Sequence, residues 1–66
     1  MSKAFGDNLR KIRIRKGYTQ EEMAKLLYIN RTTYTKYETG DNEPDLQTLQ
    51  RLCELLEVDY NTLLNY

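Results

Sequence analysis

The sequence predicts an all-α fold, a compact bundle of four or five short helices. Three observations lead there. Apolar residues recur at spacings of three and four, no segment shows the alternation of a half-buried strand, and the connections between periodic segments are only a few residues long. At 66 residues the chain is expected to form one domain over 1–66, near the size limit at which a core without staples offsets chain entropy.

Phe5, Leu9 and Ile12 fall at i, i+4 and i+7 and predict a first helix over about 4–16. Gly17 closes it, behind a run of cations suited to the negative end of the helix dipole. Thr19-Gln20-Glu21-Glu22 reads as a capping box, which satisfies the unpaired N–H groups of a helix start. A second helix over about 20–27 would bury Met23, Ala24 and Leu27. Asn30 is a strong N-cap and begins a third helix over 31–39, although its threonines are indifferent helix formers. Tyr34 and Tyr37 give that helix one narrow apolar stripe, and Gly40 ends it. Residues 41–44 read as a loop. Asp45 then caps a fourth helix with a stripe of Leu46, Leu49, Leu52, Cys53 and Leu56, which places Cys53 in the core. Val58 bridges to a last turn capped by Asp59, with Leu63 and Leu64 as its buried candidates. The expected core is Phe5, Leu9, Ile12, Met23, Ala24, Leu27, Ile29, Tyr34, Leu49, Leu52, Cys53, Leu56 and Leu63.

Composition excludes several functions. One cysteine and no histidine rule out an internal disulfide and a Cys/His zinc site, so neither metal nor cofactor is expected. An enzyme is disfavoured on the same grounds, since no histidine, exposed thiol or carboxylate cluster is available. No apolar run approaches the ~20 residues of a membrane span, and MSKAFGDNLR lacks the apolar stretch of a secretory signal. These features point to a reducing cytoplasm and away from a membrane partner.

Net charge is zero, which by itself argues against a nucleic-acid partner. The distribution reverses that impression. Residues 1–36 hold nine cations against three anions, a net +6, while from residue 37 onward Arg51 faces seven anions, a net −6. A basic face for a polyanion follows if the segregation persists in space. Mixed solvated faces are the plainer alternative.

The predicted second and third helices are separated by about three residues, 27–29. So tight a turn makes them cross steeply and leaves one face of the third helix free to enter a groove. Gly17, Thr19-Gln20-x-x-Met23-Ala24, Asn30-Arg31-Thr32-Thr33-Tyr34, Glu38-x-Gly40, Pro44 and Leu46-x-x-Leu49 form an ordered set. Over about 9–64 it resembles the helix-turn-helix of the Cro and phage-repressor type, the Xre-like (Cro/C1-type) regulators. The resemblance implies a five-helix lambda-repressor-like DNA-binding domain with its motif at about 20–39. It also implies a sequence-specific transcriptional regulator, a repressor, whose third helix reads the major groove of double-stranded DNA, as a homodimer on a palindromic operator.

Roles follow from the resemblance and from side-chain chemistry. Arg31, Thr32, Thr35 and Lys36 are expected to read bases, Arg31 by gripping guanine O6 and N7. Arg13, Thr19, Gln20, Asn30, Thr33 and Asn42 are expected at the DNA backbone, where contacts set register without reading sequence. Arg13 and Glu38 match an internal ion pair of the family. Tyr60, Leu63, Leu64 and Tyr66 are the expected dimer interface. Each assignment has a plainer reading: threonines and a lysine on a short helix also suit a solvated face, and Tyr34 and Tyr37 fit a core better than base stacking. A different functional class, a protein-interaction module or antitoxin-like partner protein on the same fold, stands as the alternative.

The chain departs from the family in three places. Tyr28 stands where the turn has glycine and a left-handed backbone, an uncommon conformation for tyrosine. Glu57 similarly replaces a glycine after the fourth helix. Asp41 and Glu43 occupy a loop that is often basic, and are expected to weaken affinity for phosphate.

Overall fold

The computed structural model describes residues 3–66. Five helices follow one another there: α1 (Lys3–Lys16), α2 (Gln20–Leu26), α3 (Arg31–Thr39), α4 (Leu46–Leu56) and α5 (Tyr60–Asn65). The expected boundaries shift only slightly, because Lys3 already belongs to α1 and Leu27 is the C-cap of α2.

Side-chain caps explain where four of the helices begin. At α2 both halves of the capping box form: the Glu22 N–H donates to Thr19 Oγ1 at 3.0 Å, and the Thr19 N–H donates to Glu22 Oε1 at 2.8 Å. Asn30 accepts from the Thr33 N–H at 2.8 Å, Asp45 from Thr48 at 2.8 Å and Asp59 from Thr62 at 2.7 Å. These N–H groups favour ionised carboxylates and hold Asp45 and Asp59 below the ordinary aspartate range.

Helix ends share a different device. The Tyr18, Ile29 and Val58 N–H groups each reach back five residues, to Arg13, Ala24 and Cys53 carbonyls at 3.2, 3.0 and 3.0 Å. This closure needs a left-handed residue just before the donor. Gly17, with φ 87°, supplies it without strain, but the other two positions are Tyr28 (φ 59°) and Glu57 (φ 57°). The turn at Tyr28 is therefore built as glycine would build it, with a tyrosine 86% exposed to solvent.

Twelve apolar residues form one core: Phe5, Leu9, Ile12, Met23, Ala24, Leu27, Tyr34, Tyr37, Leu49, Leu52, Leu56 and Leu63. Tyr37 is buried with Tyr34, as their spacing predicts, the rings meeting edge to face at 6.2 Å, because α3 turns its whole narrow stripe inward. Three expectations change. Ile29 and Cys53 are only half-buried at the margin of the core. Leu46, the first residue of α4, overhangs the end of the core and is 75% exposed. Leu64 follows buried Leu63 on a helix, about 100° around the axis, and so points outward.

The first helix is the central strut, packing against α3, α4 and α5. Two of its residues with no apolar signal make that possible. At Gly6, a Cβ would stand 2.7 Å from the Glu38 carbonyl carbon and 2.8 Å from the Tyr37 carbonyl oxygen, so α1 meets the end of α3 backbone to backbone. Asn8 donates its amide to the Leu63 and Leu64 carbonyls, both at 3.0 Å, and ties α5 to the opposite flank.

Three stability outcomes follow. Gly6→Ala should destabilise the domain by about 1–3 kcal/mol in urea unfolding, because backbone must shift to admit the methyl. Tyr28→Gly should instead stabilise it, by up to about 1 kcal/mol, since the tyrosine packs little and its left-handed backbone costs about 1–2 kcal/mol before glycine's entropy is deducted. Asp45 and Asp59 have lowered folded values, so their contribution is complete above about pH 4 and is lost as pH falls through those values. Asn at both positions keeps the cap without the titration and should flatten this part of the acid limb.

Candidate nucleic-acid interface

Glu38 sits in the last turn of α3, 5% exposed, and its carboxylate collects four hydrogen bonds. Arg13 of α1 donates Nε to Oε2 at 2.7 Å and Nη2 to Oε1 at 3.3 Å. Gln20, the first residue of α2, donates Nε2 to Oε1 at 3.0 Å, and the Tyr34 hydroxyl donates to Oε2 at 2.5 Å. Arg13 uses Nη1 on the Tyr18 carbonyl at 2.9 Å. No buried side-chain nitrogen or oxygen among the described residues lacks a partner, which is what a buried ion pair requires to be tolerated. Hydrogen bonding to the carboxylate raises the Arg13 guanidinium above its ordinary value. Burial, and then Glu38, raise the Tyr34 hydroxyl above the phenol range. Both groups therefore keep their protons at neutral pH.

A second bond extends the network outward. The Thr35 hydroxyl donates to Gln20 Oε1 at 3.1 Å, so Gln20 bridges the carboxylate to the outer side of α3. The free face of α3 lies just beyond. Arg31, Thr32, Thr35, Lys36, Thr39 and Asp41 line a shallow groove of about 300 Å³. Arg13, Tyr18, Thr19, Gln20, Glu21 and Arg31 line an adjoining polar cleft of about 480 Å³ at the start of α2. Arg31 belongs to both, making them one continuous surface.

The structure thus brings Arg31, Thr32, Thr35 and Lys36 onto one face of α3, and the free face has cations at both ends. It also shows which of these side chains already have work inside the protein. Thr35 is half-buried with its hydroxyl proton committed to Gln20, leaving its acceptor lone pairs and its methyl for a ligand. Gln20 retains one amide hydrogen. Arg13 is 9% exposed and forms the floor of the cleft with three of its donor groups engaged. Thr19 and Asn30 use their side-chain oxygens as helix caps, and Thr33 is half-buried outside both hollows. Asn42 is exposed, with its N–H on the Lys36 carbonyl at 3.2 Å.

One assignment needs correction. Leu63 is fully buried in the core and has no side chain to offer a dimer interface. Tyr60, Leu64 and Tyr66 are 45%, 37% and 44% exposed. Tyr66 is held against α1, its ring 5.6 Å from the Arg15 guanidinium and its hydroxyl accepting from Arg15 Nη1. Sequence reasoning also missed Tyr18, which acts through its carbonyl, because a backbone carbonyl carries no sequence signal. Asp41, singled out from the sequence as an anion of the loop, lines the groove of α3 and accepts from the Thr39 hydroxyl at 2.9 Å.

Comparison with known proteins gives the same picture. A helix-turn-helix family model matches residues 9–63. A prophage-derived helix-turn-helix-type transcriptional regulator of Bacillus subtilis (strain 168), YonR, is 50% identical over 60 residues, covering 91% of this chain and 56% of that protein. The chain spans about half the length of the curated relatives it matches. Among solved structures, the restriction-modification controller protein C.AhdI from Aeromonas hydrophila aligns over 91% of both chains with a TM-score of 0.83 and 30% identity. SinR, a master regulator for biofilm formation solved in complex with DNA, aligns over 92% of this chain and 98% of its own, with a TM-score of 0.81 and 26% identity.

The carboxylate network predicts a large effect from one atom. Glu38→Gln places an amide NH₂ among donors and leaves Arg13 as a buried, uncompensated cation, which should cost about 3–5 kcal/mol. Adding Arg13→Met to Glu38→Gln should recover part of the loss, so that a double-mutant cycle read by urea unfolding is strongly non-additive.

Proposed function

The chain belongs to the helix-turn-helix family, and from that premise we propose that it is a sequence-specific double-stranded DNA-binding transcriptional regulator that acts as a repressor in the cytoplasm. The observation that carries this reading is the free face of α3. Arg31, Thr32 and Lys36 are exposed and line a common groove, and none of them serves the core.

In this reading α3 enters the major groove. Arg31 reaches a guanine edge bidentately, Thr32 hydrogen-bonds a base edge or places its methyl against thymine, and Lys36 works one turn further along, with Thr35 held beside them by Gln20. The polar cleft at the start of α2 receives a phosphate. Thr19 and the remaining amide hydrogen of Gln20 face that phosphate, while Arg13 supplies positive potential from below. Asn30, Thr33 and Asn42 flank the same strand. Two copies on a palindromic operator would present their α3 helices about 34 Å apart, one helical turn. Repression by occupying the site asks nothing of the chain beyond the grip itself. Asp41, on the wall of the groove, tempers its attraction for phosphate.

Selection of bound duplexes from a random pool tests the proposal. A palindromic motif should emerge, and affinity for it should fall steeply with salt. Arg31→Ala should relax the preference at one position of each half-site, losing about 1–3 kcal/mol of discrimination there, while urea unfolding stays within ~0.5 kcal/mol of the parent. If no motif is enriched even at low salt, the protein-interaction reading takes its place.

A further inference from the structure

We propose that Thr35 reads the amino group of adenine or cytosine and rejects the keto bases guanine and thymine, because Glu38, two hydrogen bonds away, has already fixed where its hydroxyl proton points. The contact presupposes α3 in the major groove and so rests on the proposed DNA reading, which it narrows from a face of α3 to a class of base.

The polarity follows from which atoms can donate. A carboxylate offers acceptors only, and Glu38 is one, forked by the Arg13 guanidinium. Gln20 therefore presents its amide nitrogen to Glu38 Oε1, at 3.0 Å, and its oxygen faces the half-buried Thr35 hydroxyl at 3.1 Å. Two oxygens that close attract only with a proton between them, and an amide oxygen has none to give. The proton is that of Thr35. Its single hydroxyl hydrogen is spent inside the protein, so the oxygen offers the groove lone pairs and nothing else. Turning the Gln20 amide over to release that proton would set its oxygen against the Glu38 carboxylate, acceptor against acceptor, at the cost of a buried hydrogen bond. The buried charge thus holds the relay in one direction.

Other side chains of the groove have the opposite polarity. Arg31 and Lys36, which line it together with Thr35, carry donors and no acceptor, so they suit guanine O6 and N7 or thymine O4. An acceptor on the same face suits the groups they cannot bind. On the major-groove edge those are adenine N6 and cytosine N4. Facing guanine O6 or thymine O4, Thr35 would bring two oxygens together with no proton to share. Each base pair carries one amino and one keto group on that edge, so the contact decides which strand holds the amino base. A threonine free to turn its hydroxyl would accept either.

Selection of bound duplexes, run on the parent chain and on Thr35→Val, Thr35→Ser and Gln20→Met, tests the proposal, each variant first being checked for a parent-like thermal transition. The parent should enrich adenine or cytosine over guanine and thymine by about tenfold at one position of each half-site. Thr35→Val should lose that preference while the other positions keep theirs, and Thr35→Ser, which retains the hydroxyl, should restore it. Gln20→Met should weaken binding to every sequence and, at that position alone, admit guanine and thymine. Side chains that only supported the fold would not move a single base position. Deleting the amino group from the duplex probes the contact without altering the protein: purine in place of the adenine, or 2-pyrimidinone in place of the cytosine, should raise the parent's Kd about tenfold and leave that of Thr35→Val nearly unchanged. If Gln20→Met fails to fold, the Thr35 variants and the amino deletion decide alone. A position lost in Thr35→Val that had selected guanine or thymine overturns the proposal, as does an amino deletion that costs parent and Thr35→Val alike, or a folded Gln20→Met chain that still excludes the keto bases. Failure of the DNA reading looks different: no motif is enriched even at low salt, and the contact falls with it. A motif in which no position responds to Thr35→Val overturns the contact alone.

Discussion

A carboxylate with four donors around it and little water is stable only where every one of those donors is held in place. Glu38 imposes that condition on three helices at once. Arg13 comes from α1, Gln20 from the first position of α2, and Tyr34 from α3 itself. Losing any of them would leave a charge or a polar atom buried without compensation, which costs far more than an intact exposed pair contributes. The network therefore does less to raise stability than to exclude other arrangements. With α1 locked against the end of α3 at Gly6 and α2 locked at Gln20, α3 has one orientation left. Tyr34 and Tyr37 face the core, and Arg31, Thr32 and Lys36 face water.

The same network joins the core to the proposed reading surface. Gln20 donates to the buried carboxylate with its nitrogen and accepts from Thr35 with its oxygen, so the start of α2 and the outer side of α3 share one hydrogen-bonded relay. A duplex that grips the cleft at α2 would thus meet a face of α3 already held in register. Such preorganisation lowers the ordering cost of binding. The charge segregation noted in the sequence maps onto particular elements: α1 carries six cations and α3 two, while the acids after Glu38 are Asp41 and Glu43 of the loop, the cap residues Asp45, Glu57 and Asp59, and Glu54 of α4.

Much of this architecture could be read from the residues alone, wherever one residue type has one local use. Thr19 and Glu22 at the spacing of a capping box, and Asn30, Asp45 and Asp59 before helical stripes, depend on short-range backbone geometry; the glycine-like positions at Tyr28 and Glu57 were accessible only through the family pattern. What escaped depends on tertiary placement. Leu46 and Leu64 satisfy a helical period yet lie where no partner covers them. Gly6 looks like a poor helix residue until α3 is laid across it, and Asn8 gains meaning only when α5 ends beside it. In the candidate site, the ion pair and the exposed cations were accessible through the family pattern. The internal duties of Gln20 and Thr35 were not, because a polar side chain on a helix face gives no sign of whether its partner is protein or ligand.

One buried carboxylate holds α3 with its Arg31 face outward, and in the proposed function that face is presented for DNA. A crystal structure of the chain bound to a duplex recovered by selection tests it most directly. The account predicts α3 in the major groove, Arg31 and Lys36 within hydrogen-bond reach of bases or phosphates, and the bonds from Arg13, Gln20 and Tyr34 to Glu38 unchanged from the free chain. A complex in which the duplex lies on another face, or in which Gln20 leaves Glu38 and α3 turns relative to α1, would contradict it.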